Sequence, residues 1–171
     1  MLNYKNEKID VKGCPGCAYA RGEFSLPCGM AYESDLVTMS QDWELPIPAF
    51  FVVSPKRCVE TLEELSDEEK EEIGFLIDKT IQIARKNNIC DRFNVIFEEK
   101  EGRHFHVWMM PRHKWMEEKF SNITGHIGDI FSYAKENMRT DVIYEEIDTI
   151  TAIVKKELFD IKVKKRIKSS N

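Results

Sequence analysis

No apolar stretch in this 171-residue chain approaches the roughly 20 residues needed to cross a bilayer. Positive charge is also short. The 25 lysines and arginines stand against 30 acidic residues, for a net charge of −5 and a pI near 5.5. Broad electrostatic binding to a nucleic-acid backbone, which needs clustered Lys and Arg, is therefore not expected. A small phosphorylated ligand in one locally basic pocket stays open. The first twelve residues, Met1 to Lys12, are polar and charged and do not read as a signal peptide. No internal repeat or low-complexity tract interrupts the chain. These absences point to a cytoplasmic protein with neither membrane nor nucleic acid as partner.

A cytosolic chain keeps its thiols reduced. The odd count of five cysteines is accordingly read as metal ligands, nucleophiles or core residues before disulfides. Hydrophobic residues at 42% and charged residues at 32% are the balance of an ordinary globular domain.

Residues 1–12 read as a flexible N-terminal tail, followed by Gly13-Cys14-Pro15-Gly16-Cys17, a tight turn carrying two thiols. Strand-like runs follow at Met30 to Tyr32, Leu36 to Met39 and Ala49 to Val53, separated by turn residues. Ser66-Asp67-Glu68-Glu69 is a capping box. The helix it opens places Ile73, Leu76, Ile77, Thr80, Ile81 and Ala84 on one face, and Asn87-Asn88 closes it. The Glu63 to Glu72 run reads as the solvated side of that helix. Phe93 to Glu98 and Arg103 to Met110 read as an antiparallel hairpin about a turn at 99–102, and Pro111 stops the second strand. Two further helices are expected at Gly125 to Met138 and Thr140 to Phe159. The second carries the stripe Ile143, Ile147, Ile150 and Val154. The domain boundaries expected are a tail at 1–12, a catalytic domain with its knuckle at 13–115 and a C-terminal helical extension at 116–171.

The chemistry concentrates on the second hairpin strand, Arg103-His104-Phe105-His106-Val107-Trp108-Met109-Met110-Pro111-Arg112-His113. Three of the four histidines fall within it. Alternation along a strand puts His104, His106, Trp108 and Met110 on one face. Two imidazoles side by side suit metal binding, or nucleophilic attack with an orienting neighbour.

This strand resembles that of the histidine-triad (HIT) superfamily, which reads His-φ-His-φ-His-φ-φ, often with Pro-Arg after it. The upstream order is also similar: a Cys-x-x-Cys knuckle, Tyr32-Glu33-Ser34-Asp35, Pro55-Lys56-Arg57 and a Leu-Ser-x-Glu-Glu helix start. The resemblance covers about residues 14–113. It implies an α+β, HIT-like fold: a five- or six-stranded, mostly antiparallel sheet, a packed long helix, and here a C-terminal helical extension. It implies that His106 is the nucleophile that attacks an α-phosphorus and forms a nucleotidyl-histidine intermediate. It further implies a nucleotide or dinucleotide substrate and a homodimer.

Asn94 is the nearest candidate for the asparagine usual beside the nucleotide, and Arg103 or Arg112 could assist the phosphoryl oxygens. The third motif position is Trp108, which keeps one N–H donor but cannot accept a proton. His113 lies where it could replace the missing histidine. Pro48-Ala49-Phe50 stands where Pro-Gly-His is common.

Zinc-bearing members, including the galactose-1-phosphate uridylyltransferase branch, use the knuckle, a histidine after Pro-Lys-Arg and the first triad histidine. The resemblance thus implies a structural zinc held by Cys14, Cys17, Cys58 and His104, with Cys58 in the place of that histidine. Thioredoxin-like chemistry is the rival for the knuckle. Cys28 and Cys90 read as core, and His126 as solvated. The leading expectation is hydrolysis of a nucleotidyl phosphoanhydride or phosphoramidate. A nucleotidyltransferase or phosphorylase, or a nucleotide-binding module without turnover, are the alternatives.

Overall fold

The computed structural model describes residues 2–99 and 104–169, with side chains described up to residue 162. A short helix, α1 (Pro15–Ala20), precedes the strands β1 (Met30–Glu33), β2 (Val37–Gln41) and β3 (Phe51–Pro55). The long helix α2 (Asp67–Lys86) follows, then β4 (Phe93–Glu98), β5 (His106–Pro111), α3 (Lys114–Lys119), α4 (Ile127–Asn137) and α5 (Asp141–Ser169). The strands form one antiparallel sheet in the order β1-β2-β3-β5-β4, so β5 lies between β3 and the edge strand β4. The fold is the expected α+β architecture, with five strands.

α2 starts where the capping box places it. Ser66 accepts from the Glu69 amide, and the Glu69 carboxylate accepts from the Ser66 amide. Its buried side chains are Ile73, Leu76, Thr80, Ile83 and Ala84, while Ile77 and Ile81 are only partly buried. Glu69 is buried as well, contrary to a fully solvated acidic run. The Arg57 guanidinium grips it with two bonds of 2.9 and 2.6 Å, joining the end of β3 to the cap of α2.

One sheet face carries Val37, Met39, Phe51, Val53, Val107 and Met109 into a core closed by α2 and by Ile150, Val154 and Leu158 of α5. The other face meets α3 and α4 through Phe50, Met110, Met116, Ile130 and Ala134. Residues of the expected extension thus fill both cores. The first residues, expected as a loose tail, are also packed. Tyr4 is fully buried against Tyr144, and Arg139 bonds to the Asn3 carbonyl.

The hairpin departs from expectation at its closing end. Glu98 pairs with His106, so β5 begins at His106 rather than at Arg103. Residues 104 and 105 turn aside instead. The Phe105 amide donates to the Val59 carbonyl, and the His104 ring bonds to the Pro55 carbonyl. Lys100 to Arg103, most of the expected turn, lie outside the described residues, and so does the assignment to Arg103.

Candidate functional site

Alternation from Met110 back along β5 puts Trp108 and His106 on the face away from the α2 core. Their neighbours across the register are Ile96 and Glu98 on β4, and Val52 on β3. A cavity of about 400 Å³ opens on this face. His104, His106, Trp108 and Glu98 line it from the hairpin, and Ser40 to Leu45 line it from β2 and the loop that follows. Cys14, Gly16 and Tyr19 line it from the knuckle, and Phe131 and Lys135 from α4.

The His106 ring is held at both nitrogens. Its Nδ1–H donates to the His104 carbonyl at 3.0 Å, and its Nε2 lies 2.7 Å from Glu98 Oε2. With Nδ1 committed to the backbone, Nε2 is the nitrogen left for chemistry, and it rests against the Glu98 carboxylate. Such backbone orientation of an imidazole fixes the tautomer a nucleophile needs.

His104 is oriented the other way. Its Nε2–H donates to the Pro55 carbonyl at 2.6 Å, which turns Nδ1 toward Cys17 Sγ at 3.3 Å. Burial holds this imidazole below its ordinary value, favouring the neutral, metal-binding form. Cys14, Cys17 and His104 bring their donor atoms within 4.8 Å of one another. Cys58, exposed and three residues past β3, is not among these three but lies within reach of the Cys17 thiol. Burial first, and then the Cys58 and Cys14 side chains, push the Cys17 thiol up to about 12. For Cys14, burial opposes ionisation, yet hydrogen bonds with Cys17 leave its thiol below the ordinary value. Two thiols and an imidazole whose second nitrogen is anchored match what zinc takes in a structural site. Gly16 makes the approach possible, since a Cβ there would lie 2.7 Å from His104 Cβ.

Trp108 forms part of the cavity wall, edge-on to Phe131 with centroids 5.5 Å apart and to Phe50 at 6.0 Å. Asn94 and His113 do not line the cavity. Asn94 is on the same face as Glu98 but four residues along β4, about 13 Å away at the rise of a strand. His113 stands at the N-cap position of α3 without a side-chain cap, is partly buried, and donates from Nε2 to the Pro48 carbonyl at 2.7 Å. Arg112 pairs with Glu117. Cys90 is buried and Cys28 partly so, while His126 is exposed and bonded to Asp129.

Among the lining residues that escaped the sequence reading are Glu98, Phe131, Lys135 and Asp42. Glu98 needed the true hairpin register, and Phe131 and Lys135 needed the placement of α4. Asp42 carried a signal in the Asp-x-Glu spacing of a turn. Its Oδ1 accepts from the Glu44 and Leu45 amides, and burial pushes its carboxyl up to about 6 against those bonds.

No family model matches the sequence, and no curated protein matches it. The fold does have solved counterparts. It is similar to a zinc-bound histidine triad family protein from Mycobacterium smegmatis, with TM-score 0.60 and 18% identity over 86% of this chain and 96% of that one. A Hit-like protein involved in cell-cycle regulation from Bartonella henselae follows with TM-score 0.57 and 17% identity over 81% and 91%. A hypothetical histidine triad nucleotide-binding protein from Sulfolobus tokodaii has TM-score 0.56 and 17% identity over 85% and 93%. Among the described residues, no helix is long and apolar enough to cross a membrane. The chain thus has the fold of histidine-triad proteins.

Proposed function

We propose that the chain is a histidine-triad enzyme that cleaves a nucleotidyl phosphoanhydride or phosphoramidate, with His106 as nucleophile. The observation that carries this reading is the His106 ring at the cavity wall, its Nδ1–H tied to the His104 carbonyl and its Nε2 against Glu98, which lines the same cavity. In the first half-reaction the Nε2 lone pair attacks the α-phosphorus, and the bond to the leaving group breaks. Water then attacks the nucleotidyl-histidine, whose phosphorus–nitrogen bond is labile. The nucleotide-binding counterpart from Sulfolobus tokodaii supports a nucleotide as the substrate.

Cys14, Cys17 and His104, with Cys58 as fourth ligand, would hold a zinc ion. Four protein ligands close a site, so zinc there ties the knuckle to the His106 strand and supplies no reactive position. The zinc-bound counterpart from Mycobacterium smegmatis supports that assignment. The same reading carries a cytoplasmic homodimer, and of the substrate-binding candidates Trp108, Asn94 and His113 it keeps Trp108, which lines the cavity.

The test is turnover of diadenosine triphosphate and adenosine phosphoramidate by wild type and His106→Ala at equal zinc content. Intact-mass measurement after mixing should show a nucleotidyl adduct in wild type alone. Tight nucleotide binding without adduct or turnover would instead identify a binding module.

A further inference from the structure

α4 lies outside the stretch that carries the sequence resemblance, yet it supplies two cavity residues one helical turn apart, Phe131 and Lys135. Phe131 meets both Trp108 and Phe50, with centroids 5.5 and 5.7 Å away. Trp108 in turn stands 5.7 Å from the His106 ring. The rings therefore run from His106 through Trp108 to Phe131, and Lys135 is the next turn of α4 beyond. Lys135 is held at 2.7 Å from Glu44, and Arg139 bonds to the Glu44 carbonyl at 3.3 Å, so α4 is pinned to the loop after β2. Among the described residues lining the cavity, Lys135 is the one lysine or arginine, against the carboxylates of Asp42, Glu44 and Glu98.

Displacement at phosphorus is in line, so the leaving group departs on the side opposite the attacking nitrogen. Glu98 sits on Nε2 itself and is excluded from that side. Trp108, Phe131 and Lys135 lie further along the wall. Breaking a phosphorus–nitrogen bond puts the electron pair on nitrogen, which must then take a proton. The indole of Trp108 donates a hydrogen bond but does not give up its proton. Breaking a phosphorus–oxygen bond to a phosphate or carboxylate puts the pair on an oxygen that leaves as a stable anion and needs no proton. The Lys135 ammonium, on exchanging Glu44 for the departing anion, would neutralise that charge, and the aromatic rings take a flat apolar part.

We infer that Trp108, Phe131 and Lys135 form a leaving-group subsite for an acid anion joined to a flat ring, and that the enzyme selects phosphorus–oxygen over phosphorus–nitrogen bonds. The inference rests on the nucleophile assigned to His106 above. Lys135 is the residue that determines the preference.

Initial rates and intact-mass adducts with diadenosine triphosphate and adenosine phosphoramidate test it, in wild type, Lys135→Ala and Lys135→Arg. Wild type should favour the triphosphate in kcat/KM. Lys135→Ala should lower kcat/KM for the triphosphate by about tenfold or more while changing that for the phosphoramidate less than about twofold. Lys135→Arg should restore most of the loss. A wild-type preference for the phosphoramidate, an equal loss on both substrates or no loss on either overturns the subsite while leaving His106 in place. No adduct with either substrate in wild type overturns the nucleophile reading and the subsite with it.

Discussion

Glu98 and His106 face each other across the β4–β5 hairpin, with the carboxylate Oε2 2.7 Å from the imidazole Nε2. The contact covers the nitrogen that the proposed nucleophile would present, and it sets a carboxylate where a phosphoryl group would arrive. On the proposed mechanism, Glu98 would have to swing aside before attack.

From this follows the first prediction. Glu98→Gln keeps the size of the side chain and removes its charge, so KM for an anionic nucleotide should fall several-fold, on the order of 1 kcal/mol. Steady-state kinetics on diadenosine triphosphate at low and high salt measure this. A higher KM with unchanged kcat would show that Glu98 assists binding instead of opposing it.

The knuckle depends on a residue without a side chain. Gly16→Ala would bring a methyl group to 2.7 Å from His104 Cβ and Cγ, and a buried ring cannot retreat freely. We expect a loss of about 1–3 kcal/mol in folding stability together with weaker zinc retention, read by denaturant unfolding and metal analysis. An unchanged midpoint would mean that α1 can shift without cost.

Asp42 gives a pH signature. Burial raises its carboxyl from 3.8 to about 6 in the folded chain. A raised acid favours the protonated form on folding, so its contribution is most favourable below the ordinary carboxylate value. That contribution is lost as pH rises from about 4 to about 6, because the unfolded chain releases the proton first. Unfolding of wild type and Asp42→Asn should therefore converge in acid and separate toward neutrality, with Asp42→Asn relatively more stable there. Parallel curves across the window would show that Asp42 does not titrate in it.

Trp108→His tests the missing proton carrier. An imidazole at that position can protonate a departing amine, so cleavage of adenosine phosphoramidate should rise by about tenfold or more, within the range of general acid catalysis. The gain on diadenosine triphosphate should be smaller, since its leaving group needs no proton. Unfolding curves must accompany the assay, because the change removes ring contacts with Phe50 and Phe131. No gain in a folded variant would mean that proton supply does not limit the phosphoramidate.

Local signals in the chain decided much of this protein. The capping box at Ser66 fixed the start of α2 because two reciprocal bonds form within one turn, whatever else the chain does. Alternation along β5 put His106, Trp108 and Met110 on one face because successive residues of a strand must point to opposite sides. The pairing of His104 with Cys14 and Cys17 was expected from the family resemblance, not from any local pattern.

Only the tertiary structure decided the register of the hairpin, since the Pro55 and Val59 carbonyls draw His104 and Phe105 out of the strand from some fifty residues away in sequence. That one displacement set Glu98 against His106. The burial of Glu69 followed from Arg57, and the cavity wall from where α4 packs. Nothing local to Phe131 or Lys135 marks them, because a helix shows its apolar face in its own periodicity but not what that face will cover.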